Sequence, residues 1–166
     1  AATQFQELLS EAKIQNHEII QSQDRKTTVK TRVLSGTQHV LRIDQEDTSD
    51  ISRSLEDALI KATKHRIDLG IDALIFEDYN KGVLTHRVIT ELIAYAKEKG
   101  VKTTVDPKKD NFLSYRGVNL FKPNLKEIKE GLDVNIDVVN QPDSIVNGAK
   151  QLRDLLNHEL TLITLS

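Results

Sequence analysis

From residue 51 onward, short apolar runs alternate with stretches whose apolar residues recur every three or four positions. Ile51, Leu55, Ala58, Leu59 and Ala62 share one helical face, and the run Ile71 to Phe76 follows as a strand. Val88, Ile89, Leu92, Ile93 and Ala96 predict a second helix, stopped by Gly100. Val101–Val105 and Val118–Phe121 read as strands. Leu125, Ile128 and Leu132 predict a short helix, and Ile145, Val146, Ala149, Leu152, Leu155 and Leu156 a longer one. Leu160–Leu165 is a last strand. Helices alternating with continuous apolar strands predict an α/β fold with a mostly parallel sheet covered on both faces.

The first fifty residues keep a different rhythm. Phe5, Leu8, Leu9 and Ala12 predict a short amphipathic helix over residues 3–13. Thr27 to Leu34 is alternating and β-branched, Gly36-Thr37 breaks it, and His39 to Asp44 alternates again, which predicts a β-hairpin. Its faces are only half apolar, as suits an exposed ribbon or lid. The chain therefore reads as one domain over 1–166, with a lid hairpin at 26–45 and an α/β core segment at 51–166.

Composition narrows the class. At 166 residues, with 38% hydrophobic and 29% charged residues, the chain can bury one real core and is not a disordered sequence. A net charge of −2 with both signs interspersed argues against a nucleic-acid surface. The absence of cysteine excludes disulfides and thiolate metal sites. No apolar run reaches the roughly 18 residues that cross a bilayer, and Ala-Ala-Thr-Gln-Phe-Gln lacks the pattern of a signal peptide. A cytoplasmic protein without membrane partners is the expectation. The sequence contains no methionine, and its last strand stops at Ser166 without the loop that normally follows a parallel strand. Both features suggest a piece of a longer protein.

Open parallel sheets bind ligands beyond the carboxyl ends of their strands. Three such ends are polar here. Glu77-Asp78-Tyr79-Asn80-Lys81-Gly82 leads into a helix capped by Thr85, where Lys81-Gly82 could hold an anion through backbone N–H groups and the helix dipole. Asp106-Pro107-Lys108-Lys109-Asp110 offers a carboxylate to orient a metal-bound water or a hydroxyl, and lysines to face phosphate. In Pro123-Asn124-Leu125-Lys126-Glu127, Asn124 and Glu127 fit either a capping box or a hydrated Mg²⁺ site. Taken singly, each end is served by an ordinary turn or cap. Their convergence on one sheet edge carries more weight. His17, His39, His65, His86 and His158 show no metal-ligand spacing, and no Gly-x-Ser-x-Gly elbow occurs.

"TTVKTRVLSGTQHVLRIDQED", "FEDYNKGVLT", "VDPKKDNFLSYRG" and "FKPNLKE" occur in this order. With them, nearly the whole chain resembles the heptose-7-phosphate kinase domain of ADP-heptose synthases, within the ribokinase-like (pfkB) carbohydrate kinases. The resemblance implies a three-layer α/β sandwich with a small β lid that often mediates dimer contacts. It implies Mg²⁺- and ATP-dependent phosphorylation of a sugar phosphate, D-glycero-D-manno-heptose 7-phosphate, at its anomeric hydroxyl, in the synthesis of ADP-heptose, a lipopolysaccharide core precursor. It places Asn124 and Glu127 at the Mg²⁺–phosphate site, Asp106 and Lys108 near the phosphoryl path, and Lys30, Arg32, Arg42, Asp44, Asp78 and Lys81 among substrate or lid contacts. The family's Gly-Ala-Gly-Asp element, which supplies an anion hole and the base, does not occur in this chain, and neither does the sugar-binding Gly-Gly. Asn80 stands where the loop commonly has glycine. The chain is therefore expected to be an internal segment, inactive alone. Another pfkB sugar or nucleoside kinase, and a non-catalytic kinase-like module that binds a partner through its hairpin, remain alternatives.

Overall fold

A ladder of parallel hydrogen bonds organises the larger part of the chain. The computed structural model describes residues 2–14 and 18–165. Two units are present, Ala1–Ser49 and Asp50–Ser166. His17 and Ser166, both invoked above, lie outside the described residues.

The first unit holds helix α1 (Ala2–Glu11) and the antiparallel hairpin of β1 (Val29–Ser35) and β2 (Gln38–Gln45). Gly36, at φ 60°, turns the chain between the strands where an L side chain would be strained. A register shift between Val33 and Leu34 bulges β1. Val29, Val33, Leu41 and Ile43 all remain exposed on the ribbon, as do Phe5 and Leu8 on α1. The half-apolar alternation thus produces a ribbon, not a buried sheet.

The second unit runs α2 (Arg53–Asp68), β3 (Ala73–Glu77), α3 (His86–Glu98), β4 (Lys102–Asp106), β5 (Leu120–Phe121), α4 (Leu125–Leu132), α5 (Asp143–Leu156) and β6 (Leu160–Thr161). A three-residue 3₁₀ turn at Lys109–Asn111 follows β4. The sheet order is β3-β4-β5-β6, with every pair parallel. Phe76, Val105 and Phe121 meet Val88, Ile89 and Leu92 of α3 and Leu152 and Leu156 of α5 in one core cluster. Each such side chain contributes roughly 1.5–3 kcal/mol by leaving water. Edge strand β3 leaves Ile75 61% exposed.

The last strand is shorter than the run Leu160–Leu165 predicts, and Pro123 is the reason. Leu160 N donates to Asn119 O, Leu162 N to Phe121 O, and Thr164 N to Pro123 O. Leu125 N returns a bond to Thr164 O. The missing rung is the one that residue 123 would donate, and proline has no N–H. The segments stay side by side through the Asn124–Thr164 bridge, but the regular ladder ends.

Two tight spots in this core yield predictions. A Cβ on Gly131, in α4, would lie 2.3–2.6 Å from ring atoms of Phe112, which is buried and meets Phe121 edge-on. Helix propensity favours Gly131→Ala by about 1 kcal/mol, yet overpacking costs roughly 1–3 kcal/mol. Sterics win, so Gly131→Ala should lower the denaturation midpoint in urea. His158 is buried beside Phe121, with Nε2 2.6 Å from Thr161 Oγ1 and Nδ1 without a partner. Burial, helped by the Arg153 charge, pushes its pKa below the ordinary 6.5. The neutral imidazole therefore stabilises the fold above pH 6.5, and that contribution is lost as pH falls from there through the folded-state value. Thermal melts between pH 7.5 and about 5 should show this loss, and His158→Gln should flatten it.

Candidate active site

Parallel pairing of β3, β4 and β5 brings three strand ends to one edge. Glu77 lies opposite Asp106, and Val105 opposite Phe121, so Asp106 and Lys122 exit as neighbours. Lys122 Nζ stands 2.7 Å from Asp106 Oδ2. Lys108 Nζ stands 3.8 Å from the other Asp106 oxygen and forms a hydrogen-bonded ion pair with Glu127 Oε1. Glu127 Oε2 accepts from Asn124 N at 2.9 Å, while Asn124 Oδ1 accepts from Glu127 N at 2.8 Å. This reciprocal capping box starts α4.

Asp106, Lys108, Asn124 and Glu127, all candidates from the sequence, thus form one connected cluster. Lys122 belongs to it too, and sequence reasoning missed it. The available signal was the register, since a residue following Phe121 must sit beside the one following Val105. Burial alone would lower the Lys108 pKa, but the Glu127 carboxylate, with Asp106 behind it, holds the ammonium above its usual value. Lys108 stays charged throughout the physiological range.

Asp78 has a different setting. It is 3% exposed, and its carboxylate is engaged on both oxygens. Oδ1 accepts from Asn80 N at 2.8 Å, and Oδ2 accepts from the Tyr115 hydroxyl at 2.7 Å and from Asn111 Nδ2 at 3.1 Å. Asn111 Nδ2 also donates to Leu84 O. The carboxylate therefore pins the loop after β3 to the segment after β4. Asn80 takes a left-handed φ of 51°, a conformation that asparagine tolerates and glycine adopts freely. This accounts for asparagine at a position where glycine is common. Lys81 is half-buried on the same loop.

The N-terminus of α3 is already occupied from within. Thr85 Oγ1 accepts from Val88 N and donates to Glu56, whose other oxygen accepts from Arg87 Nη1 at 3.1 Å. The Thr85 hydroxyl, with Arg87 and Arg53, holds the Glu56 carboxyl below its usual range against the opposing effect of burial. An internal carboxylate thus sits where the helix dipole would favour an anion.

On the hairpin, Lys30 and Arg42 flank Asp44, each at 3.0 Å, and keep its carboxyl below the usual range despite some desolvation. Arg32 lies directly opposite Arg42 across β1–β2. Like charges paired this way repel, which a bound anion would relieve.

The pfkB family carbohydrate kinase model matches residues 1–166. The chain belongs to the pfkB family of carbohydrate kinases. It is 34% identical to the bifunctional protein HldE of Aliarcobacter butzleri over 165 residues, which is 99% of this chain and 34% of that protein. It is 37% identical to the bifunctional protein HldE of Wolinella succinogenes over 158 residues, 95% of this chain and 32% of that one. The chain thus spans about a third of the length of these curated relatives. Among solved structures, it is similar to phosphofructokinase-2 from Escherichia coli in complex with potassium, with a TM-score of 0.71 and 16% identity. That likeness covers 98% of this chain and 52% of the other. A putative phosphofructokinase from Staphylococcus aureus gives a TM-score of 0.64 at 16% identity, over 96% and 49%. These neighbours establish the ribokinase-like fold, with its parallel sheet and small antiparallel ribbon.

The Asp78 pin gives a direct test. Tyr115 is fully buried, and burial with the Asp78 charge pushes its phenol far above the usual range, so the hydroxyl remains a donor. Tyr115→Phe removes one donor to a buried carboxylate and should cost roughly 1.5–3 kcal/mol. Equilibrium unfolding measures this, and the loss should vanish when Asp78 is already replaced by alanine, which has no acceptor.

Proposed function

We propose that this chain is the central segment of an ATP-dependent sugar kinase that phosphorylates D-glycero-D-manno-heptose 7-phosphate at its anomeric hydroxyl, in ADP-heptose synthesis in the cytoplasm. The observation that carries the reading is the cluster of Asp106, Lys108, Lys122, Asn124 and Glu127 at the carboxyl edge of the sheet. The relatives named HldE, over nearly the full length of this chain, favour the heptose branch over other pfkB kinases.

The cluster suits a hydrated Mg²⁺. The Lys108 ammonium sits between the Glu127 and Asp106 carboxylates and marks a position where a cation is held. Among the described residues no group of three or more His, Asp or Glu side chains could form an all-protein cage. Mg²⁺ prefers one or two carboxylates and keeps several waters. When bound, it would neutralise phosphate charge at Glu127 and Asn124. Phosphoryl transfer needs positioning and charge stabilisation above all. Lys108 supplies a mobile positive charge for the transferred group, and Lys122 holds Asp106 in place through their ion pair. Asp78 serves by holding its loop, with Lys81, against the segment after β4. Lys30, Arg32, Arg42 and Asp44 are assigned to the sugar phosphate or to lid geometry, with the Arg32–Arg42 pair as the anion-seeking element. The exposed apolar face of the ribbon is assigned to a second copy, giving a dimer through the lid.

The test is turnover with ATP, Mg²⁺ and heptose 7-phosphate, read as ADP release and as an anomeric phosphate signal in phosphorus NMR. The full-length protein carrying this chain should give both, and the 166-residue chain alone should give neither, since it contains no Gly-Ala-Gly-Asp element. Turnover of a different sugar or a nucleoside, with heptose 7-phosphate inert, would replace the substrate reading. Activity of the isolated chain would overturn the reading as a segment.

A further inference from the structure

Among the described residues of the second unit, three carboxylates are buried, and they differ in what holds them. Asp78 is held by Tyr115, Asn111 and a backbone N–H, all fixed in packed structure. Glu56 is held by Thr85 and by the planar guanidinium of Arg87. Glu127 is 8% exposed, and its second oxygen is held by a lysine whose side chain is 35% exposed. A lysine is a point charge on a flexible four-carbon stem and can withdraw without backbone movement. Arg53, 71% exposed, also reaches Glu56 at 3.5 Å, but the oxygen it faces keeps Arg87; of the three, Glu127 is the one with an oxygen that rests on a flexible lysine.

We propose that Lys108 is a tethered counter-ion: it holds the Glu127 carboxylate until a nucleotide phosphate draws its ammonium away, so that a divalent cation enters with the nucleotide and not before it. This rests on the kinase reading above and adds the order in which the site fills. The charge balance supports it. Lys108 and Lys122 face Asp106 and Glu127, two positive against two negative groups, and both carboxylates have a cation partner. A bare divalent cation would meet two ammonium groups and no unmatched carboxylate. A phosphate offers Lys108 an alternative anion. Once the ammonium turns to it, Glu127 Oε1 is released beside Asp106, while Oε2 stays on Asn124 N and keeps the carboxylate aimed. By linkage, the metal must then strengthen phosphate binding by the same factor.

The full-length protein is titrated with Mn²⁺ in the absence of nucleotide, with free Mn²⁺ counted by electron paramagnetic resonance. Lys108→Met should bind Mn²⁺ at least about fivefold more tightly than the natural protein, the lower end of ordinary coupling between sites. Lys108→Arg, which keeps the charge, should stay at the natural value. Adding Glu127→Gln to Lys108→Met should abolish the gain. If circular dichroism shows that Lys108→Met does not fold, Lys108→Gln takes its place with the same expectation. Unchanged or weaker Mn²⁺ binding in the charge-removing variant would overturn the proposal. The readout needs neither sugar nor turnover, so a failure here leaves the substrate reading intact. A protein that behaves as expected here but ignores heptose 7-phosphate would instead remove the substrate reading alone.

Discussion

Parallel strand pairing is the constraint on which the larger unit depends. Strands joined by crossover helices all leave the sheet at one edge, so whatever follows each strand is gathered in one place. Val105 opposite Phe121 is enough to bring Asp106 beside Lys122, and α4 begins two residues later with Asn124. Pro107 and Pro123 sharpen this arrangement. Pro123 removes one rung from the ladder to residues 160–164, and the next residue, Asn124, donates its N–H to the Glu127 side chain in the capping box that starts α4. The site is thus a product of sheet geometry and of the cap that starts the next helix.

Charge is handled differently at the cluster and around it. Glu56 and Asp78 are buried and fully hydrogen-bonded, and they lock helix α3 and the loop after β3 in place. Breaking such buried networks is destabilising because a charge is left uncompensated. Glu127 is fixed on one oxygen by a backbone N–H and held on the other by a lysine on a flexible stem. A frame that is rigid except for one ionic contact is what a phosphate site needs: positioned groups and one mobile charge.

Much of this was legible in the sequence because it is local. The apolar period of α3 appears in the structure as buried Val88, Ile89, Leu92, Ile93 and Ala96, and the Asn124–Glu127 spacing became a capping box. The hairpin's half-polar alternation became an exposed ribbon. What was not legible depends on partners far apart in the chain. Asp78 meets Asn111 and Tyr115, 33 and 37 residues away, and nothing in its own neighbourhood announces these internal donors. The Glu56–Arg87 pair spans 31 residues and left no local trace. The short β6 follows from a proline in the strand beside it, not from its own residues.

The central claim is that the carboxyl edge of β4 and β5, with the start of α4, receives the nucleotide's phosphates. Backbone amide NMR of the full-length protein, titrated with Mg²⁺ and a non-hydrolysable ATP analogue, tests it most directly. The account predicts the largest shifts at Asp106, Lys108, Lys122, Asn124 and Glu127. An open cleft of about 410 Å³ runs along α2 past Asp57, Lys61, Lys64 and Asp68. Shifts concentrated there, or at Lys102 and Asn119 on the amino edge of the sheet, with the carboxyl edge unmoved, would contradict it.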